Sequence, residues 1–300
     1  MLKETLHVGI VQTSLDHEAA WKNSTGWEDT VRMSYLEEKR AKKEIRHYLA
    51  SLHALEKKPD IILLPELSVP LGYENKLKRS AEAMESIIIA GLDYKIEDED
   101  MPAVSNEAIV IVPKKIRGKK IARRTEIRRV GKTYAAPEER NKLDDLGVNF
   151  KSHPTVWLFE SPDFGTFGVA VCYDFMDLDR IVLYRNKIQT LFVLAYNKDI
   201  TSFDHIAQSI SRTVFCNVII CNCGYYGGSL AVSPYRDSYK RTVYQHSGAK
   251  LTTAQIVVLP LQELQEHQTG AHSNNFKNLP PGFPLGHDLK IKNKAIEGIK

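Results

Sequence analysis

The sequence predicts an α/β fold in which two β-sheets lie face to face and helices cover their outer faces. Strands and helices alternate in the order β-α-β-α-β-β, and the same order then occurs a second time. Several strands are continuous aliphatic runs, which is typical of strands buried on both faces. No linker divides the chain before residue 266. We therefore expect one domain over residues 1–265 and an extended, proline-containing tail over residues 266–300.

The first half of the chain is predicted to supply one sheet and its helices. A strand over residues 6–12 precedes a helix over residues 30–55, which ends before Pro59. The next aliphatic run is followed by Pro65, which we expect to end the strand and to leave Glu66 at its carboxyl end. The other elements of this half are a helix over residues 77–85, a strand over 87–91, an acidic turn over 97–100, and strands over 108–113 and 120–130.

The second half is predicted to repeat this pattern around a strand that ends at Cys172. Reactive groups in α/β folds gather at the carboxyl ends of strands, although a lone free cysteine is more often simply a buried apolar residue. Asn197 follows a later strand in the same way and is a candidate for the wall of a pocket. The remaining elements are strands over residues 155–159, 191–195, 218–223, 230–232, 241–245 and 255–259, and helices over 178–186 and 203–215.

The composition is that of a globular protein from a reducing compartment. The chain has 300 residues, of which 43% are hydrophobic and 26% are charged. Its four cysteines are too few and too clustered for a disulfide framework, and their spacing is not that of a zinc site. The N-terminus lacks the apolar core of a signal peptide, and no apolar run is long enough to span a membrane. We expect a cytoplasmic protein that has no membrane partner.

The net charge of +4 is distributed unevenly. Residues 114–132 contain ten lysines and arginines and a single acid, Glu126. Such a block can contact an acidic partner, including nucleic acid, or it can form a solvated hairpin with long basic side chains. We favour the solvated hairpin.

Three residues in comparable contexts could act together. Glu66, Lys132 and Cys172 each lie at a predicted strand end or in the adjoining loop. A carboxylate can take the proton of a thiol, and the resulting thiolate can attack an amide or nitrile carbon. A lysine ammonium can then stabilise the negative charge that develops on the substrate. This constellation changes the interpretation of Cys172 from a packed thiol to a nucleophile.

The same segments resemble the signature of the nitrilase, or carbon–nitrogen hydrolase, superfamily. The run ILLPE ends in Glu66, the run K-x-x-x-x-P-x-E begins at Lys132, and the run G-x-x-x-C-Y-D contains Cys172. The runs VGIVQ and GGSLAVSP and the residue Asn106 also resemble family features. The resemblance extends over roughly residues 6–260 in the right order.

The resemblance implies a four-layer α-β-β-α sandwich of the nitrilase type and a Glu-Lys-Cys triad. Glu66 would be the general base and acid, Cys172 would form a thioester, and Lys132 would stabilise the tetrahedral intermediate. Glu139, in preference to its neighbour Glu138, matches the second glutamate that positions the lysine and the substrate. The backbone N–H of Tyr173 would complete the oxyanion hole. No metal and no organic cofactor is implied.

Two departures from the family pattern bear on specificity. The residues after Cys172-Tyr173-Asp174 are Phe175-Met176-Asp177-Leu178-Asp179-Arg180, which differ from the common family continuation, so Asp174 and Phe175 are candidate substrate contacts. In the segment that resembles R-A-x-E-N, Phe215 occupies the position of the acid. The substrate identity is therefore left open by the sequence.

Two classes of function agree with these patterns. The first is a thiol-dependent hydrolase of a non-peptide carbon–nitrogen bond, with an amide favoured over a nitrile as the small-molecule substrate, or a related acyltransferase. The second is a nitrilase-fold binding module in which the hairpin 114–132 contacts an acidic partner or nucleic acid. The intact triad favours the enzyme. The resemblance also implies a homodimer or larger homo-oligomer.

Overall fold

The fold was analysed in a computed structural model that describes residues 2–21, 26–98 and 101–283. Within these ranges, no helix combines the length and the apolar character that crossing a lipid bilayer requires. The strands and helices that follow are numbered in chain order.

The strands of the described chain form two large sheets, a small sheet and a hairpin. Their bounds are β1 (Thr5–Gln12), β2 (Ile61–Val69), β3 (Ile87–Leu92), β4 (Lys95–Asp98), β5 (Ala103–Ser105), β6 (Glu107–Val112), β7 (Lys115–Ile116), β8 (Lys119–Lys120), β9 (Glu126–Gly131), β10 (Asn149–Phe150), β11 (Leu158–Ser161), β12 (Gly165–Val171), β13 (Thr190–Ala195), β14 (Asn217–Asn222), β15 (Ser229–Val232), β16 (Thr242–His246) and β17 (Thr253–Pro260).

Helices occupy most of the longer connections. The α-helices are α1 (His17–Ala20), α2 (Trp27–Val31), α3 (Tyr35–His53), α4 (Glu74–Met84), α5 (Pro137–Asp145), α6 (Leu178–Tyr184), α7 (Ile200–Thr213), α8 (Ser238–Arg241) and α9 (Gln262–Gln268), and two 3₁₀ turns cover Leu71–Tyr73 and Cys172–Met176.

The two large sheets pack face to face. The first has the order β17-β1-β2-β3-β6-β9 and the second has the order β11-β12-β13-β14-β15-β16. An apolar core formed by both sheets lies between them, a second core joins the first sheet to α3 and α4, and a third joins the second sheet to α6 and α7. This arrangement is the predicted α-β-β-α sandwich.

The aliphatic runs alternate between two of these cores. Ile61 and Leu63 of β2 lie in the core between the sheets, whereas Ile62 and Leu64 lie under α3 and α4. Because successive side chains of a strand point to opposite faces, a strand covered on both sides needs an apolar residue at every position. The continuous run in the sequence is the direct result.

The predicted helix over residues 30–55 is in fact two helices. The backbone of Arg32 is extended, so α2 ends before it, and α3 begins after Ser34. The hydroxyl of Ser34 accepts a hydrogen bond from the backbone N–H of Glu37, which is the usual role of a serine that precedes a helix. The acidic turn predicted at 97–100 is also different: β4 extends through Asp98, and residues 99–100 lie outside the described ranges.

The expectation that Pro65 ends its strand is wrong. Strand β2 continues to Val69 through a bulge in which five steps along β2 match two steps along β3. Leu67 adopts a left-handed conformation (φ 56°), which turns the chain within the bulge. Glu66 is therefore held inside an interrupted strand, with sheet pairing on both sides.

The described part of the C-terminal segment packs on the rest of its own chain. Helix α9 crosses the predicted boundary at residue 265, and beyond it Phe276 is fully buried against Phe215 and Tyr235. The predicted tail is therefore held to the domain as far as residue 283. Residues 284–300 lie outside the described ranges.

The close approach of β3 to the bulge gives the first testable prediction. A Cβ atom on Gly91 would lie 2.4 Å from Glu66 Cα and 2.4 Å from the carbonyl oxygen of Pro65. We expect Gly91→Ala to destabilise the fold by about 1–3 kcal/mol in urea unfolding, because the backbone of the bulge must shift.

Gly72 supplies the matched control for this substitution. A Cβ atom on Gly72 would meet nothing within 4 Å. Gly72→Ala should therefore leave stability within about 0.5 kcal/mol of the wild type. Equal stability of the Gly91→Ala and Gly72→Ala variants would contradict this account of the bulge.

Candidate active site

The three residues of the predicted constellation converge where strands of both sheets end. Glu66 comes from the bulge of β2, Lys132 follows β9 directly, and Cys172 follows β12 directly. All three side chains are buried, and Cys172 is the most accessible at 7% exposure. The structure thus brings together three residues that are separated by up to 106 positions in the sequence.

Lys132 links two carboxylates. Its Nζ donates hydrogen bonds to Glu66 Oε1 at 2.8 Å and to Glu139 Oε2 at 2.6 Å. Glu139 lies in the first turn of α5 and also accepts a hydrogen bond from the backbone N–H of Ala136 at 3.0 Å. The predicted preference for Glu139 over Glu138 agrees with this geometry, because Glu138 is an exposed residue that pairs with Lys198.

Two further side chains fix the carboxylates, and the sequence did not single them out as site residues. The amide of Asn106 donates to Glu66 Oε1 at 2.8 Å and to Glu139 Oε1 at 3.3 Å. The hydroxyl of Tyr94 donates to Glu139 Oε1 at 2.7 Å. Tyr94 follows β3 and Asn106 precedes β6, both strands of the first sheet. A polar residue at a strand end is the feature of the sequence that could have indicated them.

The two carboxylates on Lys132 have different proton affinities. Burial raises the pKa of Glu66, and the charge of Lys132 opposes this shift without cancelling it. Burial acts on Glu139 in the same direction, but Lys132 and the Tyr94 hydroxyl outweigh it and hold the pKa of Glu139 below its ordinary value. Glu139 is therefore the lasting counter-ion of the lysine, and Glu66 is the carboxylate that takes up a proton more readily.

The lysine is charged and the thiol is protonated. Burial alone would lower the pKa of Lys132, but the charges of Glu139 and Glu66 outweigh it and the pKa lies well above its ordinary value. Burial and the charge of Glu66 raise the pKa of Cys172 well above that of a free thiol, against the opposing charge of Lys132. The sulfur therefore becomes nucleophilic only as its proton passes to a base.

The backbone at Cys172 is strained. Its φ angle is +46°, a left-handed conformation that few side chains other than those of glycine and asparagine adopt readily. Cys172 begins a 3₁₀ turn, in which Tyr173 is the second residue. The backbone N–H groups at the start of such a turn have no partner within the turn, so the N–H of Tyr173 is a candidate donor to a substrate oxygen.

Asp174 connects the cysteine loop to the lysine loop. Its carboxylate accepts hydrogen bonds from the backbone N–H groups of Thr133 (2.9 Å) and Tyr134 (3.0 Å), and it lies 3.1 Å from Arg180 Nη2. Arg180 also donates to the hydroxyl of Thr133. This buried network ties the loop of Lys132 to that of Cys172, and it gives Arg180, in the stretch that departs from the family pattern, a structural partner.

The other candidate substrate contacts have partners within the protein. Phe175 is fully buried, with its ring centroid 5.4 Å from that of Phe203 in the core under α7. The carboxamide of Asn197 donates to the carbonyl of Asp199 at 2.9 Å and accepts from its N–H at 3.1 Å. Neither side chain, nor that of Asp174, is therefore included in the substrate contacts that we propose below.

Trp21, from the segment after β1, packs against two tyrosines that bind the carboxylates of the site. Trp21 lies with its ring centroid 5.9 Å from those of Tyr94 and Tyr196, and the backbone N–H of Tyr196 donates to Glu66 Oε2 at 3.0 Å. The Trp21 indole N–H donates to Asp93, and burial raises the pKa of Asp93 to about 6. Trp21 thus packs against the two tyrosines that hydrogen-bond Glu139 and Glu66.

One group of possible metal ligands occurs among the described residues. Oxygen and nitrogen atoms of Glu97, Glu107 and His153 lie within 4.8 Å of one another. Glu97 already binds Lys95 and Lys151, and Glu107 binds Arg129. Both carboxylates of the group are thus already paired with cations of the protein.

The basic segment 114–132 divides into paired and unpaired cations. Lys132 belongs to the site, Arg129 binds Glu74 and Glu107, and Arg117 binds Asp60. Four exposed cations have no carboxylate partner in the described part of the chain, namely Lys115, Lys119, Lys120 and Arg123. Contact between this hairpin and nucleic acid stays a prediction.

No protein-family model and no curated protein matches the sequence. Solved structures do match it. A CN-hydrolase superfamily protein of Xanthomonas campestris, with an arsenic adduct in its active site, has a TM-score of 0.59 at 14% identity, covering 89% of this chain and 95% of that one. Nit3 of Saccharomyces cerevisiae, from branch 10 of the nitrilase superfamily, has a TM-score of 0.56 at 16% identity, covering 89% and 94%. An amidase of Nesterenkonia sp. AN1, in complex with butyramide, has a TM-score of 0.56 at 13% identity, covering 89% and 97%.

The chain has the nitrilase-superfamily fold. This confirms the predicted four-layer sandwich, and the coverage shows that the likeness spans both sheets. In the nitrilase fold of this chain, β17 pairs with β1 along its whole length and so joins the end of the second half to the first sheet.

The like charge of Glu139 gives a prediction for the pH dependence of Cys172. The charge of Glu139 raises the pKa of Glu66, so Glu139→Gln should lower the pKa of Glu66. A larger fraction of Glu66 should then be ionised at acidic pH. The rate of Cys172 alkylation by acrylamide is measured by mass spectrometry at a series of pH values. We expect the acid limb of this rate profile to move to lower pH in the variant.

Glu138→Gln is the matched control because Glu138 lies next to Glu139 but is exposed and contacts Lys198 instead of Lys132. Its alkylation profile should coincide with that of the wild type. A shift of the Glu139→Gln profile to higher pH, or an equal shift in both variants, would show that this charge does not act on Glu66.

The Asp174–Arg180 pair gives a prediction for stability. Removing one member of a buried ion pair leaves the other uncompensated, which costs about 3–5 kcal/mol. We expect Asp174→Asn and Arg180→Met each to lower the free energy of unfolding, and the double variant to lose clearly less than the sum. Additive losses in urea unfolding would mean that the two side chains act independently.

Proposed function

We propose that the protein is a thiol-dependent hydrolase of a non-peptide carbon–nitrogen bond, and that its substrate is a small amide. The observation that carries the proposal is the buried Lys132 ammonium, which bridges Glu66 and Glu139 beside the thiol of Cys172. A protein that only bound a ligand would gain nothing from burying an ammonium, a proton acceptor and a thiol together, because burying each of them costs free energy.

The first half-reaction transfers the acyl group to sulfur. Glu66 takes the proton of Cys172 while Sγ attacks the carbonyl carbon, and the carbonyl electrons move to oxygen. Lys132 and the backbone N–H of Tyr173 stabilise the oxyanion. When the carbon–nitrogen bond breaks, the protonated Glu66 gives its proton to the leaving amine, which departs as ammonia or a primary amine and leaves a thioester on Cys172.

The second half-reaction returns the enzyme to its starting state. Glu66, again ionised, removes a proton from a water molecule that attacks the thioester carbon. The tetrahedral intermediate collapses with loss of sulfur, which regains a proton from Glu66, and the carboxylic acid leaves. A carboxylate whose pKa is raised by burial suits this alternation, because it accepts and releases protons within one cycle.

Two features support an amide as the substrate. The solved structures with the same fold include an amidase that holds butyramide. The pair Lys132 and Tyr173 N–H is suited to an oxyanion, which an amide produces and a nitrile does not. The amidase assignment therefore combines the chemistry of this site with the likeness to that structure.

The proposal is tested by trapping the acyl group. The full chain is incubated with a panel of small aliphatic amides, with and without hydroxylamine, and intact mass is measured. We expect an acyl adduct on Cys172, a hydroxamate when hydroxylamine is present, and the free carboxylic acid when it is not. Both Cys172→Ala and Glu66→Gln should reduce turnover by at least about a thousandfold.

Cys216→Ala is the matched control. Cys216 is a buried cysteine in the same core as Cys172, but burial alone raises its pKa, whereas Glu66 and Lys132 also act on Cys172. Its turnover should equal that of the wild type. Hydroxamate without free acid would assign acyl transfer instead of hydrolysis. Absence of any adduct with amides and nitriles alike would reject the enzyme and favour the binding role predicted for the hairpin 114–132.

A further inference from the structure

A second cleft lies at the far end of α7 from the candidate active site. It has a volume of about 460 Å³ and is formed by the last turns of α7, the loop after β15, and Lys277 of the C-terminal segment. An adjoining depression of about 390 Å³ shares Arg212 and Lys277 with it. Helix α7 begins at Ile200, close in sequence to Asn197, and its residues Gln208 to Arg212 line the cleft, which places them about 12–18 Å along the helix from its start.

Positive charge is concentrated around this cleft without compensation. Four cations line the two depressions, namely Arg212, Arg236, Arg241 and Lys277, and no acidic residue lines either of them. Acidic residues on the same segments bind elsewhere: Asp237 pairs with Lys240, and Glu263 accepts from Ser273 and Asn275. Among the described residues, none of the four cations has a carboxylate partner.

Arg212 has an unused hydrogen-bond donor in this position. Its guanidinium lies over the ring of Phe215 at 5.7 Å, and its Nη1 atom is buried without a hydrogen-bond partner among the described residues. Burial, followed by the charge of Arg241, lowers the pKa of Arg212. A buried charged donor without an acceptor is unfavourable, and an anion within hydrogen-bond distance of Nη1 would supply the missing acceptor.

Two of the arginine side chains and the backbone of Lys277 are fixed by hydrogen bonds within the protein; Arg236 Nε donates to the carbonyl of Phe276 at 3.3 Å. Arg241 donates from Nε to the carbonyl of Tyr235 and from Nη2 to the carbonyl of Arg236, both at 3.0 Å. The backbone N–H of Lys277 donates to the carbonyl of Pro234 at 3.1 Å. These hydrogen bonds lie within the protein, so the loop and the C-terminal segment are positioned at the cleft without a ligand.

We propose that this cleft binds a phosphate-bearing ligand, as a phosphate monoester or a diphosphate. A guanidinium presents paired N–H donors that match two phosphate oxygens, and the three arginines offer several such pairs. Four positive charges call for a ligand with more than one negative charge, which a diphosphate supplies and a single carboxylate does not. The ligand would also join the C-terminal segment to the domain, because Lys277 comes from that segment.

The test uses the full chain with inorganic pyrophosphate as the probe, measured by isothermal titration calorimetry. We expect one binding site, and we expect Arg212→Gln and Lys277→Gln each to weaken binding by about tenfold, which corresponds to the loss of one charge-assisted hydrogen bond. Arg123→Gln, which removes an exposed and unpaired arginine of the hairpin, is the matched control and should bind like the wild type. Unfolding midpoints without ligand establish that each variant is folded.

Three results would overturn the proposal. The first is the absence of pyrophosphate binding to the wild type. The second is equal weakening by Arg123→Gln, which would place the anion at the hairpin. The third is equal affinity for citrate with the same sensitivity to Arg212→Gln, which would show that the cleft selects charge alone and not phosphate.

Discussion

The structure of the site depends on one interaction, the buried ammonium of Lys132 between two carboxylates. A lysine this deeply buried is stable only because Glu66 and Glu139 surround it at 2.8 and 2.6 Å. Asn106 and Tyr94 then hold the two carboxylates, so that neither can turn away. Burial raises the pKa of Glu66 against the opposing charge of Lys132, whereas Lys132 and the Tyr94 hydroxyl hold the pKa of Glu139 below its ordinary value. This asymmetry is what a general base at Glu66 would need.

The fold supplies these groups through local distortions of regular structure. Glu66 lies in a bulge opposite Gly91, and Cys172 has a left-handed backbone where β12 passes into a 3₁₀ turn. Such strain persists only where the surrounding structure over-determines it. Here the surroundings are the three packed cores and the buried pair of Asp174 and Arg180, which joins the loop of Cys172 to the loop of Lys132.

Much of this could be predicted from the sequence because it rests on local patterns. The aliphatic run 61–64 indicated a doubly covered strand, and the family-like runs around Glu66, Lys132 and Cys172 indicated three residues that the fold does bring together. The effect of Pro65 was predicted wrongly, because a bulge depends on the partner strand and not on the proline alone. Tyr94, Asn106 and Tyr196 were missed as site residues because their contacts with Glu66 and Glu139 arise from tertiary packing. The cationic cleft joins α7 to residue 277, and no local pattern reports that proximity.

The pKa of Glu66 lies above that of an ordinary glutamate, and the pKa of Glu139 lies below it. Carbon-13 NMR of protein labelled at the glutamate side-chain carboxyl measures this directly, with the two resonances assigned by their loss in Glu66→Gln and Glu139→Gln. We expect the pKa of the Glu66 carboxyl to lie above the ordinary value of about 4.3, and that of the Glu139 carboxyl to lie below it. A Glu139 carboxyl that gains its proton at higher pH than Glu66 would contradict the assignment of the base.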